Sequence, residues 1–275
     1  MLNEKKFKKA LKKCGIKKND NVYITTSLFS LGKTKFKNKK QYYHFFYKCL
    51  KDIIGNKSTI IIDAFSTNVV RDNKIHRGKH NECTTGGFAK YIIGLKDTMI
   101  SDHPAHAIAA NGKLAKYLCK NISKSNYGLD SGLYNILKIK SKILRIGIDF
   151  TISSIAHVAE SMLGVPYFYQ KLIKIRAKRN KKVKFCHYTM FVRHLDLITI
   201  YDNEKIKKGI FKACGAKKAK LNKGFIYSVD TKKYFEFIKN QLKKNPHYLL
   251  KKIPNYKYGK IPFDGPSRGR DSIEK

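Results

Sequence analysis

The sequence predicts an α/β fold with a mainly parallel central sheet flanked by helices and antiparallel additions in the C-terminal third. Short runs at 21–26, 58–62 and 142–149 read as strands, and the continuous β-branched run at 58–62 is of the kind buried on both faces of a sheet. Stretches with helical spacing alternate with them. Beyond Val165 the pattern changes to a longer, partly alternating run, which is the signature of antiparallel strands.

Taken in order, Glu4 to Lys13 reads as a helix and Asn21 to Thr26 (NVYITT) as a strand that ends in the polar turn Ser27 to Gly32. A strand delivering its end to a Ser/Gly turn is a common ligand position. Gln41 to Ile54 is helical, and Ser58 to Ile62 is the next buried strand. From Ser66 to Thr85 no period is sustained, so the stretch reads as a long loop over a site. Gly86-Gly87 opens a helix, Thr98 to Ser101 is a short strand, and Ala105 to Cys119 has helical spacing. Lys142 to Asp149 is a strand followed by a helix from Ser153 to Leu163. Lys184 to Leu195 is a long strand, and Phe225 to Val229 feeds a helix from Thr231 to Lys243.

A chain of 275 residues can bury a sizeable core, and one domain over 1–252 is expected, followed by a basic, irregular tail at 253–275. No h-region opens the chain and no segment approaches the apolar length of a membrane span, which implies a cytoplasmic protein. The six cysteines stand singly in apolar or helical surroundings, as reduced thiols do. The net charge of +40 invites a polyanion partner. Only eight of the 59 basic residues are Arg, however, and the lysines spread along nearly the whole chain beside abundant Ile, Asn and Tyr. That pattern is a solvated lysine surface set by coding bias, and it implies no specific nucleic acid. A non-enzymatic polyanion binder stands as the competing class.

The chemistry concentrates in Gly147 to Glu160, a strand end followed by a helix start. Ser154, His157 and Glu160 stand three residues apart and share a helix face. Ser153 or Ser154 is placed to cap this helix. A carboxylate one turn from an imidazole orients its tautomer and stabilises the imidazolium, as a general base requires. The same spacing also describes an ordinary surface pair. The set His76, His80, Cys83 has a metal-ligand look, but without a fourth ligand or a common zinc order no metal is expected.

The segment from Gly147 to Glu160 resembles the glycine turn, hydroxyl residue, His and Glu of the aminoglycoside 3-N-acetyltransferase family. In the same order, VYITTSLFSLG resembles the first coenzyme A contact of that family and TTGGFAKYI its Gly-led helix. SDHPAHAIAANGKLAKYL resembles its Ser-x-His-Pro segment, and NKGFIYSVDTKKYFEFIKNQL its closing strand and helix. The resemblance implies a coenzyme A-dependent N-acyltransferase with acetyl-CoA or another acyl-CoA as co-substrate. It implies His157 as the base that deprotonates the attacking amine, Glu160 as its orienting partner, and Ser154 as a donor to the thioester oxygen. Thr26, Ser27, Leu28, Ser30, Leu31 and Gly32 would hold the pantetheine and pyrophosphate, with Ser101 and His103 lining the same groove. The chain departs from the family pattern at Ile100, where Arg is frequent, at Ala107, where Ser is frequent, and at Asp63, where Pro is usual.

Polycationic antibiotics need several carboxylates at close range. This chain has only 19 acidic residues, and its long loop carries Arg71, Lys74, Arg77 and Lys79 with His76 and His80. Asp63 and Asp149 therefore join Arg71, Arg77 and His80 as expected substrate contacts for an anionic acceptor, such as a nucleotide-linked amino sugar of a surface glycan. An aminoglycoside is the alternative acceptor.

Overall fold

The computed structural model describes residues 2–32, 36–194 and 197–256. Helix α1 (Glu4–Lys13) starts at Asn3, whose side chain accepts the Lys6 N–H and so satisfies one of the amides the first turn leaves unpaired. Strand β1 (Asn21–Thr26) follows, and α2 (Lys39–Ile54) is the crossover to β2 (Thr59–Phe65). Both β2 and β5 (Ser141–Ile146) pair with β1 in parallel. The β-branched runs thus form the buried centre of the sheet, as their composition requires.

The sheet has seven strands. Its order is β3 (Thr98–Ile100), β4 (His106–Gly112), β2, β1, β5, β9 (Gly224–Asp230), β8 (Lys217–Leu221). The C-terminal pair β8 and β9 adds antiparallel to β5, as expected. Antiparallel pairing also occupies the opposite edge, where β4 runs against β2 and β3 against β4. The stretch expected to be helical from Ala105 to Cys119 instead holds β4, followed by a short α5 (Ala115–Cys119). Ala107 and Ala109 enter the core on one side of the sheet while Ile108 and Ala110 enter the core on the other. Burial on both faces therefore overrides the helical preference of alanine.

One core, built on α1, α2 and α4 (Gly87–Ile93), covers one face of the sheet. The other core is built on α6 (Gly132–Asn135), α7 (Ser154–Leu163), α8 (Asn203–Cys214) and α9 (Thr231–Lys244). A separate antiparallel ribbon joins β6 (Phe168–Arg179) to β7 (Lys182–Arg193). The expected long strand corresponds to β7. Its partner β6 carries the same alternation, with Ile173, Ile175 and Ala177 buried between exposed Lys174, Arg176 and Lys178.

The segment expected to be a loop from Ser66 to Thr85 contains α3 (Thr67–Arg71) and one 3-10 turn, and it clamps the ribbon. The His76 N–H donates to Arg176 O at 2.8 Å, and the Lys178 N–H donates to His76 O at 2.8 Å. The His76 ring is buried between Asp102 and Asn81, and Asp102 also receives Arg179 at 2.7 Å. Burial alone would raise the Asp102 pKa, but His76 and Arg179 hold it down at about 2. Among the expected tail, residues 253–256 have no regular structure and 257–275 lie outside the described residues.

Candidate active site

The carboxyl ends of the three parallel strands converge on α7. Thr26 of β1 lies beside Ile146 of β5, and Gly147 then turns the chain at φ 70°. A Cβ at Gly147 would fall 2.3 Å from Ser27 O, so the close approach of the two turns admits only glycine. Arg145, 3% exposed, donates from its guanidinium to Thr151 O at 3.0 Å and Thr151 Oγ1 at 2.7 Å. The Ser153 N–H donates to Tyr234 Oη at 3.0 Å. These bonds set the angle at which α7 leaves the sheet. Ser153 is the N-cap residue, but neither it nor Ser154 supplies a side-chain cap.

His157 and Glu160 pair through Nδ1 and Oε2 at 2.5 Å. The imidazole is 21% exposed, whereas the carboxylate is wholly buried. Glu160 Oε1 also accepts Tyr167 Oη at 2.8 Å and Tyr201 Oη at 3.0 Å. A buried carboxylate with three donors is tightly positioned. It accepts the Nδ1–H of His157 in a hydrogen bond, which leaves the Nε2 lone pair as the base. The ring is walled by Tyr127, Phe168 and Tyr201, with centroids at 5.2, 6.0 and 6.1 Å.

Ser154 lies on the same helix and its hydroxyl donates to Asp63 Oδ2 at 3.0 Å. Tyr23 Oη donates to Asp63 Oδ1 at 2.5 Å. Burial pushes the Asp63 carboxyl up to about 6 against the opposing pull of those two hydroxyls. Because the folded value lies above the unfolded one, this group's contribution to stability is complete below the usual carboxylate range. It is lost as pH rises through about 6. Asp63→Asn, which cannot titrate, is therefore expected to gain roughly 2 kcal/mol relative to the parent between pH 4 and pH 8. Denaturant midpoints at the two pH values measure this, and an equal pH slope in both proteins would refute it.

The structure gathers Asp63, Ser154, His157 and Glu160, and the other expected residues lie apart from them. In the turn after β1, the N–H groups of Ser27, Ser30 and Gly32 are bonded to Ile146 O, Ser27 O and Phe29 O, and the Ser30 hydroxyl bonds Gly147 O. Leu28 and Leu31 are buried in the core. The amides expected to grip a pyrophosphate are thus largely engaged within the turn. A cleft of about 310 Å3 opens beside it, lined by Phe29, Gly32, Phe36, Lys37 and Lys39. Two lysines and an aromatic face suit a phosphorylated nucleotide end.

Ser101 and His103 are corrected from groove residues to interior braces. The Ser101 hydroxyl accepts the Ile108 N–H at 2.9 Å, and His103 Nδ1 accepts the Ala105 and His106 N–H groups at 3.2 and 2.9 Å. Burial pushes the His103 imidazole down to about 4. Asp149 binds Lys207 at 2.9 Å and the Phe150 N–H, and Arg71 pairs with Asp72. Arg77 and His80 are exposed on the ribbon clamp. No group of three or more His, Cys, Asp or Glu converges on a metal position among the described residues.

A cavity of about 250 Å3 opens on His157, and its other walls are Tyr127, Tyr201, His106 and the ribbon residues Phe168, Phe191, Val192 and Arg193. Sequence reasoning missed Tyr23, Tyr167, Tyr201, His106 and Asn126. His106 stands inside the quoted SDHPAHAIAANG stretch, but its partners come from distant segments.

A histidine held by a buried carboxylate at the end of a parallel sheet, open to a cavity, is an arrangement suited to general-base chemistry. A family model described as aminoglycoside 3-N-acetyltransferase matches residues 24–243, and the chain belongs to that family. It is an acetyl-CoA:amine N-acetyltransferase that acts on a small-molecule amine, with acetyl-CoA as co-substrate. Among solved structures, the coenzyme A complex of AAC-IIIb superposes with a TM-score of 0.77 at 14% identity, covering 92% of this chain and 99% of that one. YokD of Bacillus subtilis has a TM-score of 0.72 at 17% identity, over 89% of this chain and 100% of its own. Sisomicin-bound AAC-VIa has a TM-score of 0.76 at 16% identity, over 88% and 98%. No curated protein matches the sequence. Among the described residues, no helix is long and apolar enough to cross a membrane.

Proposed function

We propose that the chain acetylates a ring amine of an amino sugar or aminocyclitol by direct attack on acetyl-CoA, with His157 as the general base. The observation that carries this is the 2.5 Å contact of His157 Nδ1 with a carboxylate that two tyrosines also hold, on a ring that borders a cavity. His157 Nε2 takes the proton of the amine as its nitrogen bonds the thioester carbonyl carbon. Glu160 stabilises the imidazolium that results. The Ser154 hydroxyl turns from Asp63 to the thioester oxygen as negative charge develops there. Collapse expels the coenzyme A thiolate, which the imidazolium protonates. Lys37 and Lys39 would hold the phosphates of the nucleotide end, and no acyl-enzyme is needed.

Membership of the family supports an aminoglycoside as the acceptor. A second reading, an amino sugar bearing an anionic group, is favoured by the cavity itself. Among the described residues its walls include Arg193 and no carboxylate. A volume of about 250 Å3 also suits one ring rather than several. Coenzyme A thiol release with kanamycin A and with glucosamine 6-phosphate separates them. Turnover of the first alone supports the aminoglycoside reading, turnover of the second alone the anionic one, and release with no amine at all would defeat both.

A further inference from the structure

We propose that His106 is a fixed neutral N–H donor that binds an oxygen of the acceptor, such as a ring hydroxyl beside the reacting amine, and so helps select the substrate. The inference rests on the reading that the cavity bordered by His157 holds the acceptor.

Asn126 decides the tautomer. This side chain is 1% exposed and is locked to the backbone of β7, where Oδ1 accepts the Phe191 N–H at 2.8 Å and Nδ2 donates to Phe191 O at 3.2 Å. That double bond to one residue leaves no ambiguity between its oxygen and its nitrogen. The second proton of Nδ2 meets His106 Nδ1 at 3.3 Å, so Nδ1 is the acceptor and Nε2 carries the proton. Burial, with His103 and His157 nearby, pushes the His106 pKa well below its ordinary value, which keeps the ring neutral.

His106 is the first residue of β4, and its ring packs edge-on against Phe65 at 4.8 Å. Tyr127 lies between it and His157, with centroids at 5.3 and 5.2 Å. Nε2 has no side-chain or backbone partner among the described residues, and His106 lines the same cavity as His157. None of the residues from Thr26 to Gly32, the turn proposed for coenzyme A, borders that cavity, which favours the acceptor as its main occupant. A neutral N–H cannot bind an ammonium but donates well to a hydroxyl or ring oxygen. Leaving such a buried donor unmatched weakens binding, which is how it discriminates between acceptors.

The test uses the full chain labelled with 15N-histidine, with His106→Gln assigning the signal. The expected result is the Nε2–H tautomer in the parent and the Nδ1–H tautomer in Asn126→Asp, where a carboxylate oxygen replaces the amide donor. With kanamycin A and glucosamine 6-phosphate as acceptors, His106→Phe should raise the acceptor KM about tenfold or more while the KM for acetyl-CoA stays unchanged. His106→Gln, which keeps an N–H donor, should recover most of that loss. An Nδ1–H tautomer in the parent, or an unchanged acceptor KM in His106→Phe, overturns the inference. Failure of the base assignment is read separately, from His157→Ala.

Discussion

His157→Ala is expected to lower kcat roughly a thousandfold while acetyl-CoA still binds. On the proposed mechanism the imidazole removes the amine proton, and its Nδ1 is already committed to Glu160 at 2.5 Å. The nucleotide end of coenzyme A is expected to lie in the cleft of Lys37 and Lys39, away from that ring, with only the thioester end reaching it. Thiol release gives the rate and isothermal titration with coenzyme A gives the binding. An acetyl transfer rate near that of the parent would remove His157 from the chemistry. A loss of coenzyme A binding together with activity would instead mean that the substitution disturbed the site as a whole.

Glu160→Ala is expected to destabilise the protein by about 3–5 kcal/mol, because it strands a buried set of donors rather than one pair. Tyr167 Oη, Tyr201 Oη and His157 Nδ1 all lose the same acceptor. In a chain of this size the melting temperature should fall by roughly 10 °C. Glu160→Gln keeps the volume and an acceptor oxygen, so most of the stability should return. Its kcat should nevertheless stay at least about tenfold low, since an uncharged amide does not stabilise the imidazolium. A Gln variant with full activity would reduce Glu160 to a packing role.

The locally encoded parts of this protein were legible in the sequence. The strand at 21–26 and the helix at 4–13 have the boundaries that their patterns predict. The helix at 154–163 carries His157 and Glu160 at a spacing that brings them together on one face, and one turn of helix is enough to make that contact. The Ser101 and His103 expectations failed for the opposite reason. Polar residues near a strand end look available in a sequence, whereas here the backbone amides of Ala105, His106 and Ile108 take their lone pairs. Ala105 to Cys119 misled because alanine suits a helix and equally fits a narrow layer between two cores.

The α/β class, the acyl-transfer family through its ordered segments, and the His157 and Glu160 pair are all readable from local pattern. What surrounds that pair depends on the folded chain. Asp63 meets Tyr23 from 40 residues away and Ser154 from 91 residues away, and Asn126 meets Phe191 from 65. Such contacts depend on strand order and on how the ribbon docks, which helical or strand periodicity does not encode. The tautomer of His106 follows from such a long-range partner and that of His157 from Glu160 one turn along its own helix, because a hydrogen-bond donor or acceptor at one ring nitrogen dictates where the proton sits on the other.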